Sequence, residues 1–386
     1  MIIYLVTNTY FNDRDKKRFG VDYFLYNGYK VIVLDVQDYL NPELNHLEKP
    51  IFKSHQNLEV IVSCNMKMVK SVIDKFGIGV SFLYIDNTYK SLKIKKYLQK
   101  NNIKIGILHG GMLPSFVEKK NKLYTVISKF QSLNIKNTVK IIFNKLYVKI
   151  FDIKYYDFLI TANYDTSLLN YNFAKPIKII ETHCLDYDLV LENKNFKNTM
   201  KNKYVVFIDQ YILNHSDFLR TNTKINIEAD KYYKELNRLF HQIEKYKKYK
   251  VIIAAHPRAE IAEYKKLFNG RDIVYGNSIQ LVKYCEFAMT HYSTAINFAI
   301  IYKKPILFLS NNEFNFANLN MYVKGFSNLL NQVYINLSCS YDIQNMLIKV
   351  DNHRYKEYEI KYIKKNNKEK NTYEIFENNF LQDEVI

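Results

Sequence analysis

Val251-Ile252-Ile253-Ala254-Ala255-His256-Pro257-Arg258 is an apolar run of strand type that stops at a His-Pro pair. Further along, His291-Tyr292-Ser293-Thr294-Ala295-Ile296-Asn297-Phe298-Ala299 is a polar cluster that opens an apolar helix, and Lys304-Pro305-Ile306-Leu307-Phe308-Leu309 supplies another buried strand. Strand, polar turn, helix and strand in this order describe an α/β unit built on a parallel sheet. In an open sheet of that kind, ligands sit in the crevice at the carboxyl ends of the strands. A histidine at a strand end and a Ser-Thr pair at a helix start then face one anion. That arrangement suits a nucleotide-activated donor.

The same rhythm runs through the whole chain. Strand-like runs fall at 2–7, 31–36, 60–63, 81–85, 104–109, 158–161 and 177–181, with helical patterns between them at 66–76 and 89–100. The second half repeats it at 204–208, 251–255, 273–275, 287–290 and 306–309. A long amphipathic helix is expected over 230–245, where Tyr233, Leu236, Leu239, Phe240 and Ile243 recur at helical spacing. The stretch 191–203 is polar and aperiodic and reads as an interdomain linker. The expected organisation is an acceptor-binding Rossmann-like domain over 1–190 and a donor-binding one over 203–350. A tail over 351–386 returns towards the first domain. Two doubly wound domains facing each other across a cleft is the simplest architecture for 386 residues.

Composition sets the outer limits. At 48% hydrophobic and 24% charged the chain is of ordinary globular type. No apolar run approaches ~18 residues, so no membrane span is expected. The first residues, Met1-Ile2-Ile3-Tyr4-Leu5-Val6-Thr7, read as a strand rather than a signal peptide. Cys64, Cys184, Cys285 and Cys339 are scattered without a CxxC pair, which speaks against a zinc site and a disulfide framework and for the cytoplasm. The net charge of +18 draws a protein towards anionic substrates and the inner membrane face. Lys, Asn, Ile and Tyr also have AT-rich codons, and the sequence does not separate the two origins. The lysines are dispersed and no nucleic-acid-binding signature is present, so a polyanion binder is the alternative of another class and no nucleic-acid partner is expected.

Several side chains fall at strand ends. His256 precedes Pro257, which ends the strand for want of an N–H; the histidine is placed to bond a phosphate and stabilise it as it departs. Arg258 follows. Ser293 and Thr294 are strong helix caps, and a helix N-terminus also binds anions; capping and phosphate binding share one geometry. His291 flanks them, and Asn297 sits in an otherwise apolar helix, where its amide needs a partner. Asp209 and Gln210 follow the first strand of the second half and either line the crevice or form a turn. In the first half, His109 precedes Gly110-Gly111, and Asp13 and Asp15 follow the first strand. His109 and Asp13 are the candidate bases. Asp186-Tyr187-Asp188 spells a DxD, but no full metal shell accompanies it, and neither metal nor cofactor is expected.

The His256-Pro257 and Ser293-Thr294 pairs resemble the HP and S/SS/ST motifs of bacterial glycosyltransferases of the GT-B fold, in particular the sialyltransferase and polysialyltransferase type. The stretches 207–210, 254–258 and 293–299 followed by Lys304-Pro305 also look like transferases of O-antigen and capsule clusters. The resemblance covers about residues 180–310. It implies that His256, Ser293 and Thr294 contact the phosphate and nucleotide of a CMP-sugar. The family's acidic motif, two acidic residues before a glycine, is absent from the first half. The expected activity is inverting, metal-independent transfer of a nonulosonic acid from its CMP donor onto a surface glycan or lipid-linked glycan. A UDP-sugar transferase or epimerase is the alternative.

Overall fold

The computed structural model describes residues 1–44, 56–86, 88–111, 113–114, 116, 142–143, 146–147, 150, 155–162, 175–195, 197–198, 200, 202–214, 225–256, 259, 261–314, 318–364 and 369–382. Two compact units share the chain. Met1–Met112, Lys119–Leu185 and Asn367–Ile386 make the first; Leu113–Glu118 and Asp186–Asn366 make the second.

The first unit contains β1 (Ile2–Thr7), β2 (Lys30–Asp35), β3 (Leu58–Val62), β4 (Val80–Tyr84), β5 (Lys104–His109), β6 (Tyr155–Thr161) and β7 (Lys175–Glu181). They form one sheet in the order β3-β2-β1-β4-β5-β6-β7, with every neighbouring pair parallel. A parallel sheet is covered on both faces, so its inner strands are apolar throughout rather than alternating. β1 obeys this: Ile3, Tyr4, Leu5 and Val6 are all fully buried. The pleat sends Ile3 and Leu5 into one layer with Phe11, Phe24 and Phe82. It sends Tyr4 and Val6 into the other, with Val69, Ile73, Ile94 and Leu98. The second layer comes from the helices Met66–Phe76 and Tyr89–Lys100, whose first turns are capped by Asn65 and Thr88.

The end of the chain completes the first unit. The helical segments Thr372–Phe376 and Glu377–Leu381 place the Phe376 ring 5.2 Å from that of Phe82 and 4.9 Å from that of Phe158. Glu377 accepts hydrogen bonds from the hydroxyls of Tyr23 and Tyr29. Tyr373 lies on Gly20 and donates its hydroxyl to the Arg18 carbonyl. Asn352–Tyr358, by contrast, belongs to the second unit.

The second unit contains β8 (Tyr204–Ile208), β9 (Lys250–Ala255), β10 (Asp272–Tyr275), β11 (Ala288–Thr290), β12 (Ile306–Ser310) and β13 (Val333–Asn336). Their order is β10-β9-β8-β11-β12-β13, again parallel throughout. The five strands expected here coincide with β8 to β12 within a residue at either end. β13 was not anticipated: it is a short edge strand in which only Ile335 is fully buried, so it carries no apolar run. The expected helix over 230–245 runs as Ala229–Gln242 and then widens into a π-helical turn, Ile243–Lys247. Its buried stripe holds Tyr232 where Tyr233 was expected. Among the described residues no helix is long and apolar enough to cross a membrane.

Gly20 tests how the chain end is held. Its φ is +60°, a left-handed conformation, and a Cβ there would lie 2.3 Å from the Tyr373 ring. Gly20→Ala adds overpacking to left-handed strain and is expected to cost on the order of 2–4 kcal/mol. A melting temperature unchanged from wild type would contradict this packing.

Candidate functional site

In the second sheet the crossovers diverge to either side of β8. This leaves a crevice at the carboxyl ends of β8 and β11, the switch point at which such sheets bind ligands. The residues that follow these strands are polar. Asp209 and Gln210 follow β8, His256 follows β9, His291 to Thr294 follow β11, and Tyr275 ends β10.

Asp209 organises this rim. Its side chain is buried, and one carboxylate oxygen accepts the Tyr264 hydroxyl at 2.5 Å. The backbone N–H groups of Gln210, Tyr211 and His256 lie close enough to favour its charged form. Burial pushes its pKa up; the donors oppose the shift by stabilising the charged form. The same carboxylate therefore ties the loop after β8 to the loop after β9. Gln210 ties it in the other direction, because its side-chain oxygen accepts the backbone N–H of Tyr292. That bond spans the β8–β11 switch point.

His256 is half-buried. Its carbonyl accepts the Ala259 N–H at 2.9 Å. Its ring lies parallel to that of Tyr211, 14° apart in plane and 5.9 Å between centroids. Pro257 and Arg258 lie outside the described residues. β9 and β11 flank β8, so at about 4.8 Å per strand step His256 and Ser293 stand on one rim about 10 Å apart in the sheet direction.

His291 does not have the role expected of it. It is fully buried, with Nδ1 2.6 Å from the Leu309 carbonyl and Nε2 2.8 Å from the Tyr232 hydroxyl. A carbonyl only accepts, so Nδ1 carries the proton and Nε2 receives the tyrosine's. Phe207 and Phe314 pack edge-on against the ring. Burial lowers its pKa to about 4. His291 is a neutral core residue that positions Tyr292 and Ser293, and the expectation of a nucleotide contact through its ring is corrected.

The helix after β11 is short, Ile296–Ile301, and its cap position is Ala295. Thr294 and Ser293 stand one and two residues before that cap. Ser293 Oγ accepts the Ala295 N–H at 3.2 Å, which closes a turn before the helix. Ser293 is half-buried and Thr294 exposed. Asn297 is buried and donates to the Asp186 carboxylate at 2.8 Å, so a protein side chain supplies the partner its amide needs. Asp186 and Asp188 lie two apart in the helix Leu185–Glu192. At that spacing they do not share a helix face.

In the first unit Asp13 is exposed and begins the helix Asp13–Arg18, which Asn12 caps. Asp15 is buried in the same helix. His109 ends β5, half-buried, and burial lowers its pKa. Sequence reasoning missed Asp35. This carboxylate ends β2, accepts the N–H groups of Phe11 and Gln37, and is pushed by burial to about 6. Tyr211, Tyr264 and Tyr275 were missed as well. The one signal pointing to them was position after a strand, which 34 tyrosines dilute.

No family model matches the chain, and no curated protein matches it. Solved structures do. A variant of the wall teichoic acid polymerase TagF aligns over 100% of this chain and 90% of its own, with 13% identity and a TM-score of 0.53. The calicheamicin glycosyltransferase CalG4 aligns over 87% and 85%, with 8% identity and a TM-score of 0.45. The S. aureus MnaA–UDP co-structure aligns over 93% and 87%, with 12% identity and a TM-score of 0.43. The likeness to TagF together with the two parallel sheets makes the fold that of the two-domain, Rossmann-like GT-B class.

The buried His291 predicts a pH dependence. Its folded pKa of about 4 lies below the unfolded value of roughly 6.5. Between these values the unfolded chain holds the proton and the folded chain does not. Its contribution to stability is therefore present above about pH 6.5 and lost as the pH falls towards 4, on the order of 3 kcal/mol in all. Denaturant melts of wild type and His291→Leu at a series of pH values should show a shallower slope for the variant in that window. Equal slopes would contradict a neutral, buried imidazole.

Proposed function

We propose that this chain is a glycosyltransferase that moves a sugar from a nucleotide-linked donor to a cell-surface glycan acceptor. The observation that carries the reading is the rim of the second sheet. There, Gln210 bridges the switch point, and His256, Ser293 and Thr294 remain accessible on either side of it. Fold analogy alone does not assign an activity, so the proposal rests on these side chains. The wall teichoic acid polymerase that shares the fold is named for a surface polymer, and a glycan of that general class is the acceptor proposed here.

The donor's phosphate lies between His256 and the Ser293-Thr294 turn. Donors fixed in advance at a rim that excludes part of the solvent stabilise developing charge more than water does. The acceptor and the base that deprotonates it are assigned to the first unit, with Asp13 and His109 as candidates. The acceptor hydroxyl loses its proton to the base, and its oxygen bonds to the anomeric carbon. The bond from that carbon to the donor phosphate breaks, with an oxocarbenium-like transition state and inversion. A CMP-linked nonulosonic acid is the preferred donor, on the resemblance of the motifs, and a UDP-sugar is the alternative. The transfer is proposed to run without a metal, and contact with an anionic membrane surface is proposed from the charge of +18.

Removing a preorganised donor of this kind costs on the order of 10²–10³ in rate. His256→Ala is expected to lower turnover of the donor by that factor while leaving the melting temperature close to wild type. Full activity in the folded variant would remove His256 from the site. Excess chelator should leave transfer unchanged; a loss restored by Mg²⁺ would overturn the metal-independent scheme.

A further inference from the structure

Ile142, Phe143, Leu146 and Ile150 are large apolar residues on one helical segment of the first unit, and each is more than half exposed. No other stretch of that length among the described residues holds more than two exposed side chains of this kind. Exposed apolar residues scattered singly are ordinary, but a contiguous group marks an interaction surface. Positions four apart on a helix stand one above the other. Ile142, Leu146 and Ile150 therefore form a stripe, with Phe143 beside it.

The contact that holds this segment is aromatic. Tyr147 is half-buried, and its ring meets that of Tyr89 edge-on, 4.3 Å between centroids. Tyr89 opens the helix Tyr89–Lys100 and carries the Lys93 ammonium 4.2 Å from its ring centroid. Phe143 stacks on Tyr147 at 6.3 Å. The segment is thus fastened to the first unit through Tyr147 while the stripe stays in water.

The surrounding charge chooses the partner. From Lys119 to Phe151 the sequence has eight lysines and no acidic residue, whereas the whole chain has 38 acidic residues against 56 basic ones. AT-rich codons favour lysine but do not exclude acids, so the run is a local feature. A second copy of the chain brings the same positive charge and is repelled. A nucleic acid meets the lysines but offers nothing to an aliphatic stripe, because bases stack on aromatic rings. Anionic lipid answers both: acyl chains take up the stripe, and headgroups meet the lysines. A stripe of this length is too short to span a bilayer, so the contact lies in the interface.

We infer that the helical segment carrying Ile142, Leu146 and Ile150 docks the first unit on an anionic lipid surface. The inference rests on the membrane contact proposed above, which net charge alone leaves without a place, and it is independent of the donor. The unit assigned to the acceptor is then the one held at the membrane, where the lipid of a lipid-linked glycan is anchored.

The test is sedimentation of the full chain with vesicles of phosphatidylcholine alone and of phosphatidylcholine mixed equally with phosphatidylglycerol. Wild type should bind the anionic vesicles at least about tenfold more tightly, since each lysine near such a surface adds about fivefold, and raised salt should weaken the binding. The triple variant Ile142→Ser, Leu146→Ser, Ile150→Ser should melt as wild type does. It should bind at least about tenfold more weakly, one buried methylene being worth about fourfold. Ile78→Ser, exposed elsewhere in the same unit, should bind as wild type does. The chain has no tryptophan, so Leu146→Trp reports on the segment even if the triple variant folds poorly. Its emission should shift to shorter wavelength on anionic vesicles, and that of Ile78→Trp should not. Undiminished binding by the triple variant, or an unmoved Leu146→Trp emission, would overturn the docking segment and leave the membrane contact to another surface. Equal binding of wild type to both kinds of vesicle would overturn the charge-selected partner. Binding to neither would remove the membrane contact altogether, with the nucleotide-linked donor untouched.

Discussion

The rim of the second sheet depends on one buried carboxylate. Burying a charge is costly unless donors surround it; Asp209 accepts the Tyr264 hydroxyl, and the backbone N–H groups of Gln210, Tyr211 and His256 lie close enough to favour its charged form. The backbone groups belong to the two loops that carry the candidate site. The charge thus fixes backbone rather than side chains. It sets the left-handed turn at Tyr211, presents Gln210 towards the Tyr292 N–H and aims the first residue after β9. With these loops fixed in advance, little ordering cost remains when a ligand arrives.

The first sheet uses the same device at a different strand. Asp35, at the end of β2, accepts the N–H groups of Phe11 and Gln37 and so fastens the loop after β1. The two sheets share a strand order outward from their central strand, and each fixes a loop at its carboxyl rim with a buried acid. They differ in what covers them. In the first unit the last segment of the chain supplies Phe376 and Phe380 to the core, against Phe82 and Phe158. Part of that unit's hydrophobic stabilisation therefore comes from residues more than two hundred positions away in sequence.

Much of this was legible in the sequence because parallel strands are buried on both sides and read as unbroken apolar runs. β1, β8 and β12 are plain for that reason, while β13, half-buried at an edge, is not. Position after a strand correctly marked Asp209, Gln210, His256 and Ser293 as residues of the rim. It did not tell a rim histidine from a core one: His256 and His291 both follow strands, and only the packing of Phe207, Phe314 and Tyr232 shows that His291 faces inward. Ser293 and Thr294 looked like caps, but the cap falls on the next residue, Ala295, a distinction set by backbone angles. Asn297 advertised a need for a partner without naming Asp186, which lies 111 positions earlier. Tyr211 and Tyr275 carried no signal in a chain so rich in tyrosine.

The central claim is that a nucleotide binds to the carboxyl rim of the second sheet, where Asp209 has fixed the loops. Hydrogen–deuterium exchange with and without saturating nucleotide tests it directly. Binding is expected to slow exchange in the segments 204–211, 250–256, 272–278 and 288–297 and to leave the sheet of the first unit unchanged. Protection confined to the first unit, or none in those four segments at a concentration that raises the melting temperature, would contradict the account.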